Sequence, residues 1–484
     1  MLFNSLQFII FFPVVTFIYF VLPHKYRWFF LLLASCIFYA AFIPIYILIL
    51  VFTIIVDYFA GILIAKTAGR KKLMFLIMSI VANVGVLGFF KYFNFLNENF
   101  SYLAHLIHWN YSVSALAIIL PIGLSFHTFQ AMSYTIEVYR GKQPVERNFG
   151  IYALYVMFYP QLVAGPIERP QNLIHQFYER HEFSYQKAVE GTKLMVWGLF
   201  KKVVIADRLA ILVNQVYNQP TDYVGFSLVI ATVLFAFQIY CDFSGYSSIA
   251  IGAARVMGFK LMDNFNRPYI SKSISEFWTR WHISLSTWFR DYLYIPLGGN
   301  RVSKWRWQFN IFLIFLASGF WHGANWTYVV WGAINGFYLV VSNLTSNIRK
   351  FVVDFVGINR LPKFYNFIRV LFTFSLVCFA WIFFRAKNMN EAFYIVSHVF
   401  SGWDSVFSIE GIKNNLRGLG FSRYDYLIVL FSIGFMEFIQ RHGETSIILS
   451  ERSAWLRWPV YYLVVITIIL FGVFNKSQFI YFQF

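Results

Sequence analysis

The chain has 484 residues, of which 59% are hydrophobic, 22% aromatic and only 13% charged, with a formal net charge of +18 and a mean hydropathy of +0.58. Water-soluble globules carry about a quarter charged residues, so composition excludes one and points to a polytopic membrane protein. The positive charge is scattered through loops and helix ends, which suits loop bias and anionic lipid headgroups and excludes a nucleic-acid partner.

A helix needs about 20 mostly apolar residues to cross the hydrocarbon. Such tracts occur near 3–22, 28–42, 44–65, 74–92, 113–137 and 149–165, and again near 191–215, 224–250, 309–343, 365–385, 425–440 and 456–474. Several are short or broken, and the expectation is about eleven spans. The runs are too long for strands and lack barrel alternation, so the predicted fold is an all-α transmembrane helical bundle. No basic residue precedes the first tract, as a secretory leader would require, so it is read as a retained span. Basic loops at His24-Lys25-Tyr26-Arg27, at Lys66 with Arg70-Lys71-Lys72, and at Arg140, Lys142 and Arg147 fall on one side. That places the N-terminus extracytoplasmic.

The polar stretches 166–190, 251–307, 345–364 and 401–424 are neither low in complexity nor repetitive, so residues 1–484 form a single transmembrane domain. Cys36, Cys241 and Cys378 sit in apolar stretches without metal-ligand spacing and read as inert buried thiols.

Within 251–307, Ser273-Ile274-Ser275-Glu276 fits a capping box. From there, Trp278, Trp281, Leu285, Trp288 and Tyr292 share about 80° of helical arc. Glu276, Arg280, Ser284, Thr287 and Asp291 face the other way, and the helix ends before Pro296 and Gly298-Gly299. It is the kind of amphipathic helix that lies in a membrane interface. His282 projects at the margin of its two faces.

The sharpest signal is Ser318-Gly319-Phe320-Trp321-His322-Gly323-Ala324-Asn325-Trp326. An ionisable side chain at membrane depth marks a candidate functional site, although a histidine bonded to a neighbouring helix carbonyl is the plain structural alternative. Gly319 and Gly323 allow close approach and an interrupted helix. Asn325 and Arg280 are supporting candidates, to orient the ring or to stabilise charge on a carbonyl. Trp321, Trp326 and Trp331 read as packing or interface residues. Asp291 pairs with His282 only if the helix folds back. His105, His108, His175, His181 and His442 read as solvated, and His127 lies in an apolar helix without an evident partner. No nucleophile elbow, P-loop or zinc pattern is present.

The run Ser275-Glu276-Phe277-Trp278-Thr279-Arg280-Trp281-His282 through Tyr294-Ile295-Pro296-Leu297-Gly298-Gly299-Asn300-Arg301, followed by Gly319-Phe320-Trp321-His322-Gly323-Ala324-Asn325, closely resembles the membrane-bound O-acyltransferases. The nearest branch is that of the bacterial alginate O-acetylation membrane proteins. Leu162-Val163-Ala164-Gly165-Pro166-Ile167, Asp242-Phe243-Ser244-Gly245-Tyr246-Ser247, Asn264-Phe265-Asn266-Arg267-Pro268-Tyr269 and the ending Phe479-Ile480-Tyr481-Phe482-Gln483-Phe484 extend the likeness. The chain departs from it at Ser248, where relatives carry an acid.

The resemblance implies a multi-helix fold with interfacial or re-entrant helices and a funnel meeting a tunnel in the membrane. It makes His322 the catalytic histidine and His282 a second active-site histidine. It implies acetyl-CoA or another cytoplasmic thioester as donor, no tightly bound cofactor, and an inner-membrane location. It also implies an extracytoplasmic hydrolase-like acetyltransferase partner that decorates an exported polysaccharide. Neutral imidazole suits deprotonation of an acceptor hydroxyl beside a thioester, and an acyl-histidine route stays open. Peptidoglycan O-acetylation and teichoic-acid D-alanylation are rivals within the class. A proton-coupled transporter or flippase is the rival outside it.

Overall fold

The computed structural model describes residues 1–117, 121–163, 165–441, 453–474 and 479–480. Ala164, His442 and the 481–484 end, each part of a reading above, lie outside them. Among the described residues regular structure is entirely helical, as expected. Four helices are long and apolar enough to cross a membrane: Pro44–Lys66, Gly69–Leu106, Phe226–Val256 and Pro362–Arg385. The pair Ile409–Gly418 and Arg423–Gln440, bent by 88°, makes a fifth if taken as one span, and Leu6–Val21 and Arg457–Phe471 are shorter apolar helices.

The contacts gather into two units, Met1–Met195 with Tyr246–Met262, and Val196–Gly245 with Asp263–Phe484. In the first unit, helices Ile47–Lys66, Gly69–Leu87 and Leu124–Tyr139 pack together. A buried polar node joins them: the Asp57 carboxylate accepts from Ser79 Oγ at 2.6 Å and from Asn83 Nδ2 at 2.8 and 2.9 Å, and Ser79 Oγ lies 2.9 Å from Thr135 Oγ1. Such side-chain bonds tie helices where apolar faces have no hydrophobic reason to associate. His127, for which sequence offered no partner, lies buried with Nε2 3.4 Å from Thr53 Oγ1.

The second unit holds the site. The 309–343 tract is two helices, Lys304–His322 and Trp326–Leu344. Gly323 is extended at φ −163°, and the Asn325 side chain caps the next helix by accepting from Thr327 N–H at 3.0 Å. The helices return antiparallel through two glycines: a Cβ on Gly319 would stand 2.9 Å from Gly332 Cα, and one on Gly332 3.0 Å from Gly319 Cα. Small residues permit such close crossings. His322 therefore stands at the turn of a helical hairpin rather than midway along a span.

Candidate active site

The His322 ring is 5% exposed. Its centroid lies 4.9 Å from Trp321, 5.0 Å from Trp331 and 5.3 Å from Phe384. Trp331 stacks on Trp381 at 5.9 Å, and Trp381 lies 5.1 Å from Trp281. The aromatic content noted in the sequence is thus concentrated here as an enclosure, with Trp331 only 1% exposed, while Trp326 is exposed. His322 is the last residue of its helix.

The amphipathic helix expected from Ser273 is broken. It divides into Ile274–Arg280 and Ile283–Phe289, with His282 between them in the left-handed region at φ +43°. The cause lies upstream, at Asn264. Its carbonyl accepts from Ile283 N–H at 2.9 Å, and its Oδ1 accepts from Ser284 N–H at 3.2 Å and Ser284 Oγ at 2.9 Å. Asn266 N–H takes the Arg280 carbonyl at 2.9 Å. These bonds replace the helical ones and offset a left-handed conformation that costs about 1–2 kcal/mol. Two expectations are corrected by this break: His282 is 1% exposed rather than marginal, and Ser284, placed on the polar face, is fully buried. The His282 ring packs edge-on to Phe243 at 4.6 Å.

The capping box forms by half. Ser273 accepts from Glu276 N–H at 3.1 Å, but the Glu276 carboxylate takes Lys272 N–H at 2.8 Å. Arg280 pairs with Glu276 at 2.8 Å, and Asp291 with Arg290 at 2.8 Å. Besides its capping bond, Asn325 donates through Nδ2 to the Lys387 carbonyl at 2.9 Å. Asn264 is the residue that sequence reasoning passed over. It lies in a string used for the resemblance, but its tertiary role left no local pattern.

A half-open cleft of about 500 Å³ runs beside the hairpin, lined by Trp278, Ile283, Phe289, Tyr294, Phe315 and Ser318 among others. Ser318 is four residues before His322, hence on the same helix face. Trp278, one of those lining residues, lies 5.7 Å from Trp331. Its buried indole N–H finds no acceptor among the described residues. No group of three or more potential metal ligands occurs among them either.

The site thus consists of a buried histidine at a hairpin turn, packed by aromatic rings and beside an apolar cleft. The sequence profile of the membrane-bound O-acyltransferase family matches residues 145–385, which include both histidines. The chain belongs to that family and is an O-acyltransferase of the membrane. It is 38% identical to a probable alginate O-acetylase AlgI of Pseudomonas aeruginosa over 458 residues, 92% of this chain and 84% of the relative. It is 37% identical to a peptidoglycan O-acetyltransferase of Helicobacter pylori, covering 75% of this chain and 71% of that one. A teichoic acid D-alanyltransferase of Bacillus subtilis is 26% identical over 56% of this chain and 70% of its own length.

Proposed function

We propose that this protein moves acetyl groups from a cytoplasmic thioester such as acetyl-CoA across the bacterial inner membrane for O-acetylation of an exported polysaccharide. His322 acts as the general base. Its imidazole takes the proton of the acceptor hydroxyl, the oxygen attacks the thioester carbonyl, the C–S bond breaks, and the proton passes to the departing thiolate. The closed enclosure keeps water from the thioester. His282 is the second histidine of the site. Arg280 and Asn325 support it, Asn325 by capping the helix that follows His322.

The observation that carries this reading is the cleft reaching Ser318, one turn from His322, with the unpartnered Trp278 N–H available to a ligand carbonyl. Relatives named for alginate O-acetylation over most of their length support acetyl as the acyl group. In this reading about eleven crossings, shorter helices included, enclose a funnel and tunnel, and the N-terminus is extracytoplasmic. Acetyl passes to an extracytoplasmic hydrolase-like acetyltransferase partner, with no tightly bound cofactor.

The test is acyl transfer from radiolabelled acetyl-CoA in membranes with the partner supplied, wild type against His322→Ala at matched expression. Label lost in the variant supports the reading. Equal label removes His322 from the chemistry. D-alanine accepted in place of acetate would favour the teichoic-acid branch.

A further inference from the structure

Asp242 and Phe243 are neighbours on the long Phe226–Val256 helix, and each meets one of two neighbouring residues near the end of the chain. The Asp242 carboxylate accepts from Ile480 N–H at 2.8 Å. The Phe243 ring lies 5.8 Å from that of Phe479. The same Phe243 ring meets His282 at 4.6 Å and an interplanar angle of 79°.

We infer that Phe479 and Ile480 complete the wall behind His282, and that Asp242 is the positioning residue that ties them there. The inference rests on the reading above, in which His282 belongs to the catalytic site.

The attachment is stiff for physical reasons. The other oxygen of Asp242 lies 2.7 Å from Lys202 Nζ, which is also 2.7 Å from Asp207. All three residues are buried. A buried ammonium held by two carboxylates is fixed because separating any member leaves an uncompensated charge. The bond to Ile480 N–H is therefore a charge-assisted one from an immobile acceptor. Lys202 itself sits in the π-helical turn Phe200–Ala206, where the Val203 carbonyl accepts a second tail bond, from Val473 N–H at 2.9 Å. Lys202 with Asp207 would already form an ion pair within one segment. Asp242 adds the connection from that pair to the residue that touches His282.

This gives Phe479 a specific task. Phe243 is packed by Phe265 at 5.0 Å, by Phe479 and by His282. Removing the Phe479 ring frees one side of Phe243, so its ring turns and the edge contact that orients the His282 imidazole is lost. The backbone of His282 stays held by the Asn264 bonds, so the effect falls on ring orientation and access rather than on folding.

The experiment uses the full chain purified in nanodiscs, and reads the modification of His282 by diethylpyrocarbonate by mass spectrometry beside kcat and KM for acetyl-CoA. Phe479→Ala is expected to raise His282 modification at least severalfold, and to lower kcat tenfold or more with KM changed less than twofold. Phe479→Tyr, which keeps the ring, restores both. Asp242→Asn keeps an acceptor for Ile480 but loses the charge, and raises His282 modification to a lesser degree. Unchanged His282 modification in Phe479→Ala would overturn the inference, whatever the activity. If wild type transfers no acetyl yet His282 becomes reactive in Phe479→Ala, the wall stands and the acetyl-transfer reading falls.

Discussion

The imidazole of His322 meets the indole of Trp331 at 5.0 Å and 86°, nearly perpendicular. The two residues lie on opposite arms of the hairpin, so closing the hairpin also seats the imidazole. His322→Ala is expected to lower acyl transfer roughly 10²–10⁴-fold, the usual contribution of a general base. The lost ring also leaves a cavity that lowers stability, so turnover is compared per folded molecule, with thermal unfolding measured on the same preparation.

Trp331 touches His322, Trp381, Trp278 and Phe384 at once. Trp331→Ala should cost about 3–5 kcal/mol, as for other buried large rings. Trp331→Phe should recover most of the stability yet leave turnover depressed, because the smaller ring reaches less of His322. Chemical denaturation beside acyl transfer separates the two effects.

The hairpin crossing makes a second demand. Gly332→Ala places a methyl against Gly319 Cα and the Phe315 carbonyl. Forcing the helices apart should cost about 1–3 kcal/mol. Activity is expected to fall further than in an Ala substitution at an exposed position of the same helix, which is checked by pairing it with Phe337→Ala.

Asn264→Ala removes the acceptor for Ser284 N–H and Oγ. A buried donor left unpaired costs about 1–3 kcal/mol, and the left-handed His282 loses its support. Asn264→Asp, which retains the acceptor, should restore stability. Thermal unfolding with and without acetyl-CoA reads the difference.

Much of this site was legible in residues and strings. His322 stood out because an apolar tract rarely carries an imidazole, and the ordered strings around it pointed to a family. The turn beside it was half legible: Gly323 and Asn325 are local signals, while the bond from Asn325 to the Lys387 carbonyl joins residues remote in sequence. The break at His282 was not legible, because a capping box and clean amphipathic spacing favour one helix and the overriding acceptor, Asn264, belongs to another segment. The Lys202, Asp207 and Asp242 cluster was equally hidden, because charges inside apolar helices carry no record of who meets whom. Helix ends were less legible: among the described residues, the tracts 113–137 and 149–165 hold the helices Leu124–Tyr139, and Phe149–Met157 followed by Tyr159–Leu162.

In the polar stretch outside the apolar helices, Glu168 is 1% exposed and accepts from Met262 N–H and from Asn172 at 3.4 Å. Burial pushes its carboxyl up to about 7, against hydrogen bonds that pull it down. The folded state therefore holds a proton that the unfolded chain releases above its ordinary value of 4.5. The stability this gives is full below that value and is lost as pH rises through about 7, amounting to at most about 3 kcal/mol. Glu168→Gln should flatten that slope and be relatively more stable at pH 8. Unfolding midpoints across pH 5 to pH 8, as approximate limits set by those two values, measure it.

The cleft beside the hairpin holds about 500 Å³, within the range that accommodates drug-sized molecules and far more than a two-carbon group fills. Discrimination by acyl length cannot arise from its overall capacity. If the acyl donor binds here, as proposed, that leaves evolution spare room: substitutions along the apolar lining would retune which thioester tail or acyl group is admitted while the hairpin stays untouched.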